Sequence, residues 1–363
     1  MPLKQWICRL SALLLSALLM TQAPVSAAPL QKVATAWMGE QEAFPIWYAK
    51  EQGWDREAGL DVSMLYFNSG MDAVNTLPAG SWVYAGVGSV PALLGALRYD
   101  MSVIAICNDE ARANAVLVRP DSPIARTKGY NSECPNVLGS PETVKGITVL
   151  TTTISSSHYA LSTWLAALGL TEKDVTIKNM EQASALAAFD CGIGDAVVLW
   201  APLTYVGENR GWLVASTPHR TGHPLPLVLA ANKTYAEKHP DITTKFLQVY
   251  QRGVESMRNT PMDKLVEEYL RFYTDWAGAE YTAELAKRDL AAHNTYTLTD
   301  LEAAFDTSNG PSRVQQWFTH LAEFLEHSGR ITRQELNKIH ASGYITNKYI
   351  GLAAEEARAG KAQ

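Results

Sequence analysis

The sequence predicts an α/β protein built as two similar lobes with a helical C-terminal region. Three observations carry this expectation. Short apolar strands alternate with helical patterns through the first part of the chain, the order of the first set recurs in a second, and beyond Asn232 the apolar spacing is almost entirely helical.

The first set opens with "KVATAW" (32–37), a buried strand, and "FPIWYAKEQGW", a helix that Gly53 closes. "GLDVSMLYF" is a second strand, ending at "NSG" (68–70), where Asn68 or Ser69 can cap the helix "MDAVNTLPAG". "WVYAGVGS" is a third strand and "VPALLGAL" a third helix, with Pro91 in its first turn. This alternation points to a mostly parallel sheet with helices on both faces. The strands "MSVIAICN" and "ANAVLVRP" bracket "DEAR", a crossover between lobes in which Asn108, Asp109 and Glu110 are candidates for the cleft wall, though expected first as hinge residues. The second set then reads "TVKGITVLTTT" (strand), "SSSHYALSTWLAALGL" (helix), "DVTIKNM" (strand), "EQASALAAFDCG" (helix) and "DAVVLWAP" (strand). "LPLVLAAN" (225–232) is a strand returning to the first lobe, and four long helical patterns follow it. The expected division is a leader over 1–27, a first lobe over 28–107, a second over 108–220, and completion of the first lobe with C-terminal helices over 221–363.

The leader carries Lys4 and Arg9, the apolar run "LSALLLSALLM" and the small residues "APVSAAP", the pattern of a secretory signal cut after Ala27. Its apolar core is too short to span a bilayer, and Cys8 precedes that core, so no lipid-attachment signature is present. An exported, periplasmic protein without its own membrane anchor is expected. Cleavage leaves roughly 335 residues, a length that usually divides into two domains. At 47% hydrophobic and 19% charged residues the composition is that of a globular protein, and the net charge of −6 argues against nucleic acid or anionic lipid as partner. The remaining cysteines are Cys107, Cys134 and Cys191. A Cys107–Cys134 bridge is the preferred pairing because it would staple a loop rich in Pro, Ser and Gly, with three buried, unpaired thiols as the alternative. No CxxC or clustered His and Cys suggests a metal, and no cofactor is expected.

The chemistry concentrates at turns between strands and helices. "TTTISSS" (151–157) places six hydroxyl residues in seven positions ahead of a helix whose apolar face is Tyr159, Leu161, Trp164, Leu165 and Leu168. Ser155, Ser156 and Ser157 thus occupy a helix N-terminus, where unpartnered amides and partial positive charge favour an oxyanion without any Arg or Lys. Thr153 and His158 flank this turn. The same arrangement recurs at Asn68, Ser69 and Gly70 and at Gly88, Ser89 and Val90, where glycines permit close backbone approach. Three such turns can surround one small anion. "GEQEAF" (39–44) is a fourth turn: Gly39, Glu40, Gln41 and Glu42 offer carboxylates suited to the positive end of a zwitterion. Trp200, at a strand end, can wall the pocket. His158 beside Ser157 forms no triad, and no phosphate loop, dinucleotide fingerprint or HExxH occurs, so the motifs support binding rather than catalysis.

With these turns in hand, the sequence resembles the periplasmic solute-binding proteins of ABC importers for taurine, aliphatic sulfonates and nitrate, most closely the taurine binders. The resemblance rests on "FNSGMDAVNTLPAG", "GVGSVPALLGA", "TTTISSSHYAL", "ALAAFDCGIGDAVVLWAP", "YAEKHPDITTKFL" and "HNTYTLT", in family order across most of the mature chain. It implies a two-lobed type II periplasmic binding protein fold whose lobes close on a ligand. It also implies delivery to an ABC permease with a cytoplasmic ATPase, monomeric action, and sulfonate oxygens held by Ser155 to Ser157 and by Gly88 and Ser89. Where taurine binders place an acidic residue this chain has Leu227, which makes that position a candidate for ligand specificity, with Glu40 or Glu42 the available substitutes for the ammonium contact. Nitrate, another small anion or a thiamin-pyrimidine-like compound are the alternative ligands. Relatives that make the thiamin pyrimidine depend on a cysteine-rich segment absent here, and a ligand-sensing role beside a membrane receptor makes the same binding prediction.

Overall fold

The computed structural model describes residues 29–361, so the expected leader lies outside the described residues. Strands β1 (Gln31–Trp37), β2 (Leu60–Tyr66), β3 (Tyr84–Gly88) and β4 (Met101–Asp109) come first. They are followed by β5 (Asn114–Val118), β6 (Thr148–Thr151), β7 (Thr176–Asn179), β8 (Ala196–Trp200) and β9 (Leu213–Ser216). The last two are β10 (Pro226–Asn232) and β11 (Asn294–Thr295). They form two sheets, one ordered β11-β4-β10-β3-β1-β2 and the other β7-β6-β8-β5-β9.

Neither sheet is mostly parallel, which corrects the expectation from the alternating pattern. β1 pairs in parallel with β2 and β3, but β10 runs antiparallel to both β3 and β4. In the second sheet β6 pairs in parallel with β7 and β8, while β5 is antiparallel to β8 and β9. The physical reason is that the chain crosses between the sheets at residues 110–113 and 217–225. Each crossing delivers a strand from the opposite end of its new sheet. β11 then pairs with β4, Asn294 opposite Asp109, and so ties the C-terminal helices to the first crossing.

Three helices follow the first three strands: α1 (Phe44–Glu51), α2 (Gly70–Asn75) and α3 (Ser89–Arg98). In the second lobe α4 (Ser156–Ala167) follows β6. Ser69 caps α2 by accepting the Asp72 amide at 3.1 Å, and Ser155 caps α4 by accepting the His158 amide at 3.3 Å. The C-terminal region contributes α5 (Pro240–Asn259), α6 (Met262–Phe272), α7 (Ala283–Ala292), α8 (Leu298–Phe305), α9 (Arg313–His327), α10 (Arg333–Ala341) and α11 (Lys348–Lys361). No helix among the described residues is long and apolar enough to cross a membrane.

α5 fastens the C-terminal region to the first sheet through aromatic stacking. Tyr250 lies parallel to Trp37 at 5.9 Å, and Phe246 to Tyr84 at 4.3 Å. The second sheet has separate cores on its two faces, one around Trp164 of α4 and one around Phe189 and Trp212. Cys107 is buried in the core of the first sheet and Cys134 in the Trp164 core; both are free thiols, and Cys191 is exposed. The expected Cys107–Cys134 bridge is therefore wrong: residues close in sequence were delivered to different lobes.

The approach of α5 to α1 gives a test of this packing. A Cβ on Gly253 would lie 2.2 Å from the carbonyl oxygen of Pro45, a backbone atom that cannot swing away. Gly253→Ala is expected to lower unfolding free energy by about 1–3 kcal/mol, the usual range for an overpacked core. Urea denaturation measures it, and an unchanged midpoint would contradict the close approach.

Candidate functional site

One cavity lies where strand ends of both lobes face each other. Its walls are Met38 and Glu40 after β1, Gly70, Gly88 and Pro91 at the starts of α2 and α3, and Glu110 after β4. Leu227 of β10 supplies the floor, and Ser155, Ser156 and Trp200 close the cavity from the second lobe. Convergence of strand ends on one crevice is the general rule for ligand sites in open α/β sheets. The space is tight, with about 20 Å³ open to a water-sized occupant, room for about one water molecule. An organic ligand of several heavy atoms therefore fits only with the lobes further apart.

The first feature of the site is a meeting of helix N-termini. Gly88 caps α3 and faces Ser156, the first residue of α4, so closely that a Cβ on Gly88 would lie 2.4 Å from Ser156 Oγ. The first-turn amides of both helices lack intrahelical acceptors and carry partial positive charge. The hydroxyls are less free. Ser155 Oγ donates to the Thr152 carbonyl at 2.6 Å, and Ser157 Oγ donates to Asn114 Oδ1 at 3.2 Å. Ile154 holds a left-handed backbone with φ of 58°, an outlier for a β-branched residue, and its amide donates to His158 Nδ1 at 3.1 Å. His158 thus shapes the turn from behind rather than facing the cavity.

The second feature is a buried cluster of acids. Burial, with Glu42 and Glu110 alongside, pushes the Glu40 carboxyl well above the usual range. Burial and Glu110 push Glu42 up as well. Glu110 is lifted by burial to about 7, against the opposing pull of the His293 charge and the Ser156 hydroxyl. Burial also opposes charge on His293, yet Asp289 outweighs it and raises the imidazole to about 9. His293 Nδ1 lies 3.3 Å from Asp289 Oδ1, and Tyr269 donates to Asp289 Oδ2 at 2.6 Å.

The sequence-predicted residues separate into two groups. Glu40, Gly70, Gly88, Ser155, Ser156, Trp200 and Leu227 are brought together at the cavity. Glu42 lies behind it, packed where a Cβ on Gly86 would touch its Cγ at 2.9 Å, and Gln41 accepts from Asn108 Nδ2. The others lie outside the cavity lining. Gly39 packs near Ala277 and Tyr66, Asn68 is exposed, Ser69 is spent on Asp72, Ser89 and Val90 line neighbouring hollows, and the Thr153 amide donates to Asn179. Glu110, expected first as a hinge residue, is a wall of the cavity. Met38, Pro91, Asp289 and His293 were not singled out as site residues. Asp289 of α7 and His293, the residue that caps its end, are four positions apart, the only signal that could have paired them.

A third contact joins the lobes outside the cavity. Arg330, following α9, reaches Glu172 of the second lobe at 2.6 Å and His158 Nε2 at 3.0 Å, with His158 Nε2 also 3.2 Å from Glu172. Burial works against its charge, but His158, Ser162 and Arg330 together hold the Glu172 carboxyl down at about 2. Phe324 of α9 stands edge-on to Tyr159 of α4 at 5.0 Å beside this bridge.

Two α/β lobes closing strand ends over a small buried cavity define a solute-binding protein of the periplasmic binding fold. The NMT1-like family model matches residues 26–265, more than half of the chain, and the chain belongs to that family. A Brachyspira hyodysenteriae protein assigned as an ABC transporter periplasmic binding protein is 26% identical over 259 residues, 71% of this chain and 74% of the relative. The taurine-binding periplasmic protein of Escherichia coli is 25% identical over 194 residues, 53% of this chain and 56% of its own. The crystal structure of the periplasmic aliphatic sulphonate binding protein SsuA from Escherichia coli superposes with a TM-score of 0.66 at 17% identity. It covers 85% of this chain and 96% of that one, a likeness of fold. These relatives are binding components of transport systems, not enzymes.

The buried acids and His293 set a pH dependence. Glu110 keeps its proton in the folded protein up to about 7 against an ordinary 4.5, and His293 keeps its proton up to about 9 against 6.5. The folded state thus binds more protons than the unfolded chain in both windows, so stability falls as pH rises through them. The melting temperature of the ligand-free protein is expected to decline from pH 5 to 9. Glu110→Gln should flatten the lower part of that decline, and a profile that rises with pH would contradict the assignment.

Proposed function

We propose that this protein is the extracytoplasmic solute-binding component of an ABC importer, capturing a small organic sulfonate for a membrane permease driven by a cytoplasmic ATPase. The observation that carries this reading is the meeting of the α3 and α4 N-termini at Gly88 and Ser156, one from each lobe. Amides from two helices offer an oxyanion neutral donors in a narrow space between the lobes, and neither lobe completes that site alone. Closure around the ligand follows the hinge motion of two-lobed binding proteins. The names of the relatives support sulfonate as the class, and Met38, Trp200 and Leu227 provide apolar wall for a short organic tail.

Thermal melts of the mature protein against taurine, isethionate, short alkanesulfonates, sulfate and nitrate test the class. A ligand present at about 100 times its dissociation constant adds roughly 2.7 kcal/mol of stability, a clear shift. At least one sulfonate is expected to produce it, and a panel in which none does would overturn the sulfonate reading. Gly88→Ala is expected to weaken the response while leaving the fold intact. Its backbone, with φ of −60° and ψ of 157°, suits any residue, whereas the added Cβ displaces the Ser156 hydroxyl from its place facing the start of α3.

A further inference from the structure

The turn that begins α4 is held by contacts on the side away from the cavity. Ile154 keeps a left-handed backbone, which persists for a β-branched residue only where the surroundings impose it. Two hydrogen bonds do so, from Ser155 Oγ to the Thr152 carbonyl and from the Ile154 amide to His158 Nδ1 at 3.1 Å. Because Nδ1 accepts that amide, the ring carries its proton on Nε2, which donates to Glu172 Oε1 at 3.2 Å. Glu172 also accepts from Ser162 Oγ at 2.8 Å and from Arg330 at 2.6 Å. The carboxylate thereby fixes the tautomer that the turn requires.

One member of this chain of contacts comes from the other lobe. Arg330 stands between α9 and α10, and α10 is fastened to α3 where Lys338 Nζ donates to the Leu97 carbonyl at 2.9 Å. Arg330 therefore travels with the first lobe, while Glu172, His158 and Ile154 travel with the second. A void of about 40 Å³ lies beside the imidazole, lined by Val90 and Leu94 of α3, by Ile154 and His158, and by Leu325 and Arg330. On that side hydrogen bonds, rather than close packing, place the ring.

We propose that Arg330 and His158 are positioning residues for the solute site: when the lobes meet, Arg330 completes a relay through Glu172 and His158 that holds the Ile154 turn, and with it the α4 N-terminus, in the shape that accepts an anion. The proposal rests on the reading of the cavity between the lobes as the solute site. It gives a contact outside the cavity a share in the geometry of the amides within it. The Arg330 and Glu172 side chains are 34% and 18% exposed, so dissolved salt reaches the pair and weakens it, a signature that a purely packed contact lacks.

Two measurements on the mature protein test the relay, the first without any ligand. Hydrogen exchange of the segment 152–158 is expected to quicken roughly threefold or more in Arg330→Gln, although the substituted residue belongs to the other lobe. Arg330→Lys, which keeps the charge, is expected to restore most of the protection. Unchanged exchange in Arg330→Gln would overturn the relay. The second measurement is stopped-flow binding of taurine and isethionate, followed by tryptophan fluorescence. Arg330→Gln is expected to weaken each probe that the wild-type protein binds by about tenfold, through faster dissociation and by the same factor for both. Added salt should weaken binding to the wild-type protein more than binding to Arg330→Gln. His158→Asn supplies an Oδ1 acceptor in place of Nδ1 but lacks the Nε2 donor, so it is expected to bind like Arg330→Gln, and the double variant scarcely worse than either. Undiminished affinity in Arg330→Gln, a loss confined to association, or fully additive losses in the double variant would each overturn the proposal and leave the sulfonate reading intact. If neither probe binds the wild-type protein, the sulfonate reading loses these two ligands and the exchange measurement decides the relay by itself.

Discussion

The floor of the cavity follows from the direction of β10. Because it runs antiparallel between β3 and β4, it begins where those two strands end. Leu227 therefore stands in one row with Gly88 on one side and Asn108 on the other. Had the returning chain joined in parallel, its first residues would lie at the far edge of the sheet, and the second crossing would pass nowhere near the site. The same row places Glu110, just past β4, opposite the turn that begins α4. One strand direction thus sets the cavity floor, its acidic wall and the path by which the chain passes between lobes.

Two kinds of electrostatics meet in this small space. The helix N-termini supply diffuse positive potential from backbone amides, which cannot be titrated away. The buried acids beside them are held toward the neutral form by burial and by one another, against the pull of His293 on Glu42 and Glu110. The Asp289–His293 pair holds this arrangement in place without entering it, since β11 pins the end of α7 beside Asp109.

Much of the site was legible in the sequence because its signals are local. A strand that ends in Gly and Ser before an apolar helix announces its turn within about ten residues, which is why Gly88, Ser155 and Ser156 were identified. Glu40 was legible in type and Glu110 in place, with the wall ranked behind the hinge, because burial rather than sequence decides between the two for an acid after a strand. Asp289 and His293 were out of reach: a two-residue strand brings them to the site, and pairing of such length leaves no periodic trace. The antiparallel courses of β5 and β10 were equally hidden, since hydrophobic alternation carries no direction. The failed Cys107–Cys134 pairing has the same origin, as separation along the chain says nothing about which core a thiol enters.

Arg330 and Glu172 join the lobes outside the cavity, while Gly88 and Ser156 meet across it. Selection and retention are thereby assigned to different parts of the molecule. The cavity decides which solute is preferred; the outer bridge bears on how long the lobes stay shut once it is aboard. For a two-lobed binding protein, that dwell time is a property in its own right, adjustable at the rim without rewriting the lock.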